Sequence, residues 1–372
     1  MILTEQNGRE RKMELGAPTF RGMVFSDLHI HPHSGSHERI EQSMQALDWI
    51  LEQYMSHQCD SLFFLGDWSH VPLHTHNLVI SRTNEWLQKV EKLGIPLYVI
   101  VGNHDAPCGS HPEHGLPYMN NHAHVIDQKD QAVSIKAGNT NAIIHMIGWH
   151  NDLKEINVYD QGNGCHILLA HASIVGASMY TENVSEGLGT DYLTSKFSLT
   201  LCGHIHKHQE VADKVFHVGS LTTTKFGEDG PHGAMIFEVT QDAVQGTSVS
   251  CCFIENDVSP RHITVVPSQL EDPETELPEL AAGQYVRLLV VPGDEVAKYR
   301  RLASSADPLQ LVVKPFKPEE GDEKTIAIEN DVVSLSKESI FRQFMKDVDV
   351  PEHLDREELT NTGIAYIERA SK

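Results

Sequence analysis

The chain has 372 residues, 40% of them apolar, and a formal charge of −23 from 29 basic and 52 acidic residues. That length allows a large catalytic domain with one or two smaller modules, and no run of eighteen apolar residues exists to form a membrane span. The charge works against unaided nucleic-acid binding, because phosphate contacts need Lys or Arg, and by itself favours a small substrate.

Residues 1–20 are a polar lead-in containing Gly8-Arg9-Glu10-Arg11-Lys12, without the pattern of a secretory signal. Gly22-Met23-Val24-Phe25 predicts the first buried strand. Residues 38–56 repeat Ile40, Met44, Leu47, Ile50, Leu51 and Tyr54 at helical spacing, and a second helix spans about 77–92 before Gly94 and Pro96. With Leu62–Leu65 and Tyr98–Val101 as strands, the order is strand, helix, strand, helix, strand, the α/β pattern of a sheet covered by helices.

From about residue 131 the strands shorten: Ala142–Ile147, His166–Leu169 and Phe197–Leu201. Runs near 215–218, 233–239, 247–254 and 262–266 predict a second sheet, hence a two-sheet sandwich over 21–267. The Gly-, Ser- and Thr-rich stretch 172–195 reads equally as a surface loop or as a loop near a substrate. Residues 268–283, with Glu271-Asp272-Pro273-Glu274, read as an acidic linker. Residues 284–330 predict a small α/β module: strands Tyr285–Val291 and Leu309–Val313 around a helix near 293–304. In 331–372, two short amphipathic helices carry Ile340, Phe341, Phe344 and Met345, then Leu354, Leu359, Ile364 and Ile367, with Pro351 between them. Such stripes either pack on their own domain or dock on a partner. Six cysteines (Cys59, Cys108, Cys165, Cys202, Cys251 and Cys252) lack CxxC pairing and predict reduced thiols in a cytoplasm.

Chemistry concentrates in five blocks: Asp27-Leu28-His29, Gly66-Asp67, Gly102-Asn103-His104-Asp105, His171, and Gly203-His204-Ile205-His206. The second, third and fourth directly follow the apolar runs Leu62–Leu65, Tyr98–Val101 and Ile167–Leu169. Strands ending in Asp, Asn and His can converge their ligands at one edge of an α/β sheet. These residue types suit two divalent ions roughly 3.5–4 Å apart that hold the attacking and leaving oxygens at phosphorus. A carboxylate bridges two cations, while imidazoles and an amide oxygen complete each shell without overcharging it. The mixed N/O donors favour Mn²⁺, Fe²⁺ or Zn²⁺ over an all-oxygen Mg²⁺ or Ca²⁺ site, and the lack of thiolates argues against structural zinc.

On these blocks the sequence resembles the calcineurin-like metallophosphoesterase superfamily, and within it the DNA nuclease subunits of the Mre11 or SbcD type, a phage recombination endonuclease subunit included. The resemblance implies an α/β, two-sheet metallophosphoesterase sandwich flanked by helices, with a small capping module and C-terminal helices. It implies that Asp27, His29, Asp67 and His206 hold one ion and that Asp67, Asn103, His171 and His204 hold the other, with Asp67 bridging. Mn²⁺ is the expected metal, with Mg²⁺, Fe²⁺ and Zn²⁺ as alternatives. His104 matches the catalytic histidine, Asp105 the acid that supports it, and His70 a histidine that these nucleases carry. Val218-Gly219-Ser220 followed by Lys225-Phe226-Gly227-Glu228 resembles their Gly-Ser…Phe-Gly-Glu element. Phosphoprotein phosphatases instead carry Asp-Arg-Gly after the second block and an arginine clamp for the monoester dianion. The implied activity is that of a DNA exonuclease, and of an endonuclease in some members, in repair or recombination. The implied partners are DNA, a Rad50/SbcC-like ATPase docked by the C-terminal helices, and a second copy of the chain. The implied setting is the cytoplasm of a bacterium or a phage-infected host, off the membrane.

Three rival readings remain. A small-substrate metallophosphoesterase acting on cyclic nucleotides, nucleotide pyrophosphates or phosphoproteins would use the same ligands. A non-catalytic scaffold for an ATPase would be marked by missing ligands, and none is missing. Asp27-Leu28-His29-Ile30-His31 also resembles the opening of the trinuclear PHP phosphoesterases, a reading that leaves the other blocks unexplained. Of the surplus histidines, His74, His76, His111, His114, His122 and His124 read as surface or hydrogen-bonded residues.

Overall fold

The computed structural model describes residues 19–32, 37–71, 76–106, 113–127, 132–149, 154–156, 164–180, 182–228, 230–242, 246–267, 270–290, 296–305, 310–312, 360–361 and 364. The chain divides into two compact units, Met1–Pro318 and Glu319–Lys372. The expected C-terminal helices fall almost wholly outside the described residues; of their apolar stripes only Ile364 is described, and it is buried.

Strand β1 (Thr19–Phe25), helix α1 (His37–Ser56), β2 (Ser61–Phe64), α2 (Asn77–Lys92), β3 (Leu97–Ile100) and β4 (His124–Ile126) follow the expected alternation. β1 to β4 are parallel neighbours. Side chains alternate across each strand, and here both faces are buried. Met23, Phe25, Leu62 and Phe64 pack under the helices, while Val24, Phe63 and Leu65 face the second sheet. Helix α1 buries Ile40, Leu47, Ile50, Leu51 and Tyr54, and α2 buries Val79, Trp86, Leu87 and Val90. His76 caps α2, its Nδ1 accepting the Leu78 N–H, and Gly94 at φ +66° ends it. Two buried indoles tie these layers through polar atoms: Trp86 Nε1 donates to the Leu47 carbonyl at 3.1 Å and Trp68 Nε1 to Thr83 Oγ1 at 3.1 Å.

The second sheet is built from β5 (Val133–Lys136), β6 (Ala142–Ile147), β7 (Cys165–His171), β8 (Leu199–Gly203), β9 (Gln209–Ala212) and β10 (Val215–His217), in the order β5-β6-β7-β8-β10-β9. β6, β7 and β8 are parallel. Its inner face meets the first sheet through Ile144, Met146, Ile167, Leu169, Leu199 and Leu201. Its outer face is covered by Leu193 and Phe197 around α3 (Thr190–Lys196) and by the 172–188 stretch. That stretch is packed rather than loose: Ile174, Ala177 and Leu188 are buried and the Leu188 N–H bonds the Ser173 carbonyl at 2.9 Å.

Two expectations about strand placement are corrected. The strands β11 (Gly233–Asp242) and β12 (Gly246–Glu255) belong to the first sheet, whose order is β12-β11-β1-β2-β3-β4. β1 has β2 on one side only, so its other edge takes β11 antiparallel. Gly22 admits this closure: a Cβ there would lie 2.3 Å from the Phe237 ring. The run near 262–266, β13 (His262–Val265), joins neither large sheet. It pairs with β14 (Tyr285–Leu289), which pairs with β15 (Gln310–Val312), giving a small parallel sheet of its own.

The segment read as an acidic linker contains helix α4 (Pro273–Ala281). Asp272 caps it by accepting the Glu274 N–H, while Glu276 Oε1 accepts the Asp272 N–H at 2.6 Å, a reciprocal pair that satisfies orphan donors. Leu277 and Ala281 then pack on Val286 and Leu288 of β14. The predicted helix near 293–304 is α5 (Val296–Ser305). Among the described residues no helix is long and apolar enough to cross a membrane, and the five described cysteines are free thiols.

Candidate metal centre

Parallel pairing brings the strand ends together. Just beyond β1 and β2 the two segments stay paired, with the Asp27 N–H on the Gly66 carbonyl and the His29 N–H on the Asp67 carbonyl, both at 3.0 Å. His171 is the last residue of β7, and His204 follows β8 directly. Of the seven described non-glycine residues with positive φ, four lie in the motif blocks: Asp27 (51°), His29 (46°), Asp67 (61°) and His204 (85°). Backbone of this kind is costly for residues with a Cβ and gathers at functional sites. Two motif glycines are fixed by close approach. A Cβ on Gly102 would lie 2.2 Å from Asp67 Oδ1, and one on Gly203 would lie 2.6 Å from the Leu65 carbonyl oxygen.

The structure brings all seven expected ligands together in two groups that share Asp67. In the first, the donor atoms of Asp27, His29 and His206 lie within 4.8 Å of one another, and the two Nε2 atoms are 2.9 Å apart. In the second, Asp67, His171 and His204 meet within the same limit. Asn103 Oδ1 sits 2.8 Å from His171 Nε2 and 2.9 Å from His204 Nδ1. Asp67 Oδ2 is 3.5 Å from both His29 Nε2 and His171 Nε2, so one oxygen faces both groups.

The donor set fits a pair of divalent cations. His206 Nδ1 donates to Glu228 Oε1 at 2.6 Å and His171 Nδ1 donates to the Leu65 carbonyl at 2.6 Å, so each ring aims its other nitrogen inward. A ligating histidine held by a carboxylate or carbonyl behind it is the usual way a metal site sets tautomer and ring orientation. The inward atoms are then ring lone pairs, an amide oxygen and two buried carboxylates, a crowd of acceptors that a cation would relieve. Nitrogen and oxygen without sulfur suits Mn²⁺, Fe²⁺ or Zn²⁺.

The charges agree. Burial opposes ionisation of His171, but the charge of Asp67 and then its hydrogen bond outweigh it and push the imidazole up to about 9. Burial likewise opposes ionisation of Asp67, which His171 nevertheless holds below the usual carboxylate range. Burial, then the His171 charge, push His204 down to about 3, leaving it neutral and ready to ligate. Without metal, the raised His171 therefore stabilises the fold below its unfolded value of about 6.5, a contribution lost as pH rises through about 9. Ligation requires neutral His171, so loading releases a proton below that upper value. Mn²⁺ affinity should rise from pH 6.5 to 8.5, by up to about tenfold per pH unit from this one proton. Calorimetric titration in two buffers of different ionisation enthalpy checks it; a flat profile with no proton release contradicts it.

The three residues expected in catalysis lie beside the first group. One ring nitrogen each of His29, His70 and His104 falls within 4.8 Å of the others. His104 donates its backbone N–H to Asp67 Oδ1 at 2.8 Å and its Nδ1–H to the His70 carbonyl at 2.7 Å. Its ring stands edge-on to His29 at 4.7 Å between centroids and stacks with His70 at 5.9 Å. Asp105 makes no hydrogen bond to the His104 ring. Its buried carboxylate accepts the N–H groups of Asp67 (2.8 Å), Gly102 (3.0 Å) and Ser69 (3.0 Å), bracing the second and third blocks. Asp105 is thus placed as a positioning residue; burial, then the Asp67 charge, push it up to about 7.

Glu228 was visible in the sequence only as part of a resembling element, with no role. The structure places it, nearly fully buried, behind His206, where it also accepts the Thr224 N–H at 2.6 Å. Burial opposes its charge, but the His206 hydrogen bond and charge and the Thr224 N–H bring it down to about 2. Glu228→Gln keeps an acceptor but loses the charge. It should weaken Mn²⁺ binding by about 10- to 100-fold; unchanged affinity by titration contradicts this role. Trp149, also unforeseen, packs on the His204 ring at 4.6 Å. Among the described residues His31 belongs to none of these donor groups, and the blocks that the trinuclear His-x-His reading leaves unexplained are the ones that meet around Asp67. Among the surplus histidines, His114 accepts the Leu116 N–H, His122 pairs with Glu91, and His124 stacks on Tyr98. His74 and His111 lie outside the described residues.

Residues 20–208 match the calcineurin-like phosphoesterase family. No curated protein matches the sequence. Similar solved structures include a dimetal phosphatase from Danio rerio, at 11% identity and TM-score 0.36, covering 63% of this chain and 98% of that one. Pseudomonas putida nuclease MPE matches at 15% identity and TM-score 0.28, covering 62% and 87%, and Yfce, a phosphoesterase from E. coli, at 15% and 0.31, covering 63% and 99%. With five blocks meeting in two donor groups around Asp67, in a sandwich of two mixed sheets, the chain belongs to the calcineurin-like phosphoesterase family, whose members are metal-dependent phosphoester hydrolases using two divalent ions.

Proposed function

We propose that the protein is a two-metal DNA phosphodiesterase of the Mre11/SbcD type, an exonuclease with endonuclease capacity, acting in repair or recombination with a Rad50/SbcC-like ATPase. The observation that carries this reading is the His70–His104 pair beside the shared Asp67. A monoester dianion calls for a cationic clamp, whereas a diester carries one charge and a poor alkoxide leaving group that needs a proton. When bound, the ions supply positive charge for the nonbridging oxygens and for activation of water. His104 supplies the proton. Its Nδ1–H is spent on the His70 carbonyl, so as the imidazolium it holds a transferable proton on Nε2, which passes to the leaving 3′ oxygen. Asp67 holds the His104 backbone N–H, and Asp105 fixes the loop that carries the ring. His70 positions the phosphate or its nucleotide. The amphipathic stripes of the C-terminal segment support docking on the ATPase.

The charge of −23 favours the second reading, a small-substrate phosphoesterase. Mn²⁺-dependent hydrolysis of end-labelled linear DNA separates the two, run with and without an added ATPase partner and beside bis-p-nitrophenyl phosphate. Stepwise shortening of DNA is the expected result. Turnover of the small diester with DNA left intact in both conditions would transfer the assignment to the second reading.

A further inference from the structure

Beside His29 a narrow cleft, open to solvent, runs between the first turns of α1 and the 222–224 and 259–260 segments. Its lining is polar: Arg39, Gln42 and Ser43 from α1 face Thr222, Thr224 and Ser259, with His29 and His31 at the end that meets the metal centre. Arg39 is the one cationic side chain in this lining apart from the histidines. Other arginines of this acidic chain pair with carboxylates: Arg21 with Glu238, Arg82 with Glu41 and Glu85, Arg261 with Glu255. Arg39 has no carboxylate partner among the described residues. Its guanidinium lies over the Tyr285 ring, 4.6 Å from the centroid, and donates from NH1 to His262 Nε2 at 3.2 Å. His262 is fixed in turn by Thr223 Oγ1 at 2.9 Å and stacks on Tyr285 at 4.8 Å between centroids, while the Tyr285 hydroxyl donates to Gln42 at 2.9 Å. The small β13-β14 sheet therefore supplies the two rings that hold the charge at the mouth of the cleft.

We propose that the mouth of this cleft binds the phosphate of the nucleotide flanking the bond to be cleaved, with Arg39 as its anchor. A guanidinium has five N–H donors in a planar fork suited to phosphate; one is used by His262 and, among the described residues, no carboxylate takes the others. Aromatic support from one face leaves the edge of the fork open to a ligand. A second phosphate recognised here selects a chain of at least two phosphodiesters over a lone diester, and gives a strongly acidic protein a local hold on nucleic acid next to its metal centre. The small module then acts in substrate selection by setting Arg39, not by touching the scissile phosphate. The proposal rests on the phosphodiesterase reading.

The test compares wild type, Arg39→Gln and Arg39→Lys on three Mn²⁺-dependent substrates: bis-p-nitrophenyl phosphate, the thymidine dinucleotide with one phosphodiester, and the trinucleotide with two. Thermal melting of each variant establishes that it is folded, and the lysine variant, which keeps the charge, serves if the glutamine variant is not. Wild type should show a drop in KM of about tenfold from dinucleotide to trinucleotide, and Arg39→Gln should abolish that step, with Arg39→Lys restoring part of it. Without metal, anisotropy of a labelled oligothymidylate should show the salt dependence of log Kd shallower by about one phosphate contact in Arg39→Gln. A KM step that survives in Arg39→Gln with an unchanged salt slope overturns the proposal. Equal losses on all three substrates would also overturn it, by placing Arg39 on the scissile phosphate. Failure of wild type to hydrolyse any of the three would instead remove the phosphodiesterase reading, and the subsite with it.

Discussion

Asp67→Ala should lose both ions and all measurable hydrolysis. Its Oδ2 lies 3.5 Å from both His29 Nε2 and His171 Nε2, so removing it strips a ligand from each donor group. Its Oδ1 accepts the His104 N–H, so the loop that carries His104 loses its anchor as well. The substitution also leaves His171 in a buried site without the carboxylate that raises its pKa, and the imidazole then sheds its proton. Metal content after dialysis and calorimetric titration with Mn²⁺ should show affinity reduced by more than about 100-fold at both sites, beyond what a supporting residue costs. Asp67→Asn sharpens the test, because it retains an oxygen for the His104 N–H but no charge to share. One ion held at wild-type affinity in either variant would contradict the shared-carboxylate arrangement.

His104→Ala should do the reverse: two ions bound, hydrolysis nearly gone. The ring belongs to neither of the two ligand groups that share Asp67, and the backbone N–H to Asp67 survives the substitution. A positioned general acid contributes about 10²–10⁴-fold, and its worth depends on how badly the leaving group needs a proton. The loss should therefore approach about 10³-fold for DNA, whose leaving group is an alkoxide, and be smaller for bis-p-nitrophenyl phosphate, whose nitrophenolate leaves unprotonated. Rates on both substrates, with metal content measured in the same preparations, check this. An equal loss on both would assign His104 to holding the phosphate; an unchanged rate on DNA would remove it from the mechanism.

The catalytic half of the molecule was legible because its sequence rules are local. Apolar runs ending in Gly-Asp, Gly-Asn-His-Asp and His171 mark strands with ligands at their ends, and the parallel register of β1, β2 and β3 does the rest. Ile40, Leu47, Ile50 and Tyr54 gave α1 for the same reason. What escaped depends on partners distant in the chain. Periodicity marks β11 as a strand but not that the open edge of β1, cleared by Gly22, would receive it. The acidic, Pro-containing segment 268–283 looked like a linker because the buried positions Leu277 and Ala281 mean little until β14 is beneath them. Asp105 and Glu228 carry no spacing signal for their work: one binds three backbone N–H groups, the other a histidine 22 positions away.

Electron paramagnetic resonance during Mn²⁺ titration of the wild-type protein tests whether Asp27, His29, Asp67, Asn103, His171, His204 and His206 form one two-ion centre joined by Asp67. Two equivalents should bind, and ions sharing a carboxylate about 3.5–4 Å apart should couple, so that the six-line signal of an isolated ion collapses as the second equivalent is added. Binding of a single equivalent, or of two whose six-line signals simply add, would contradict it.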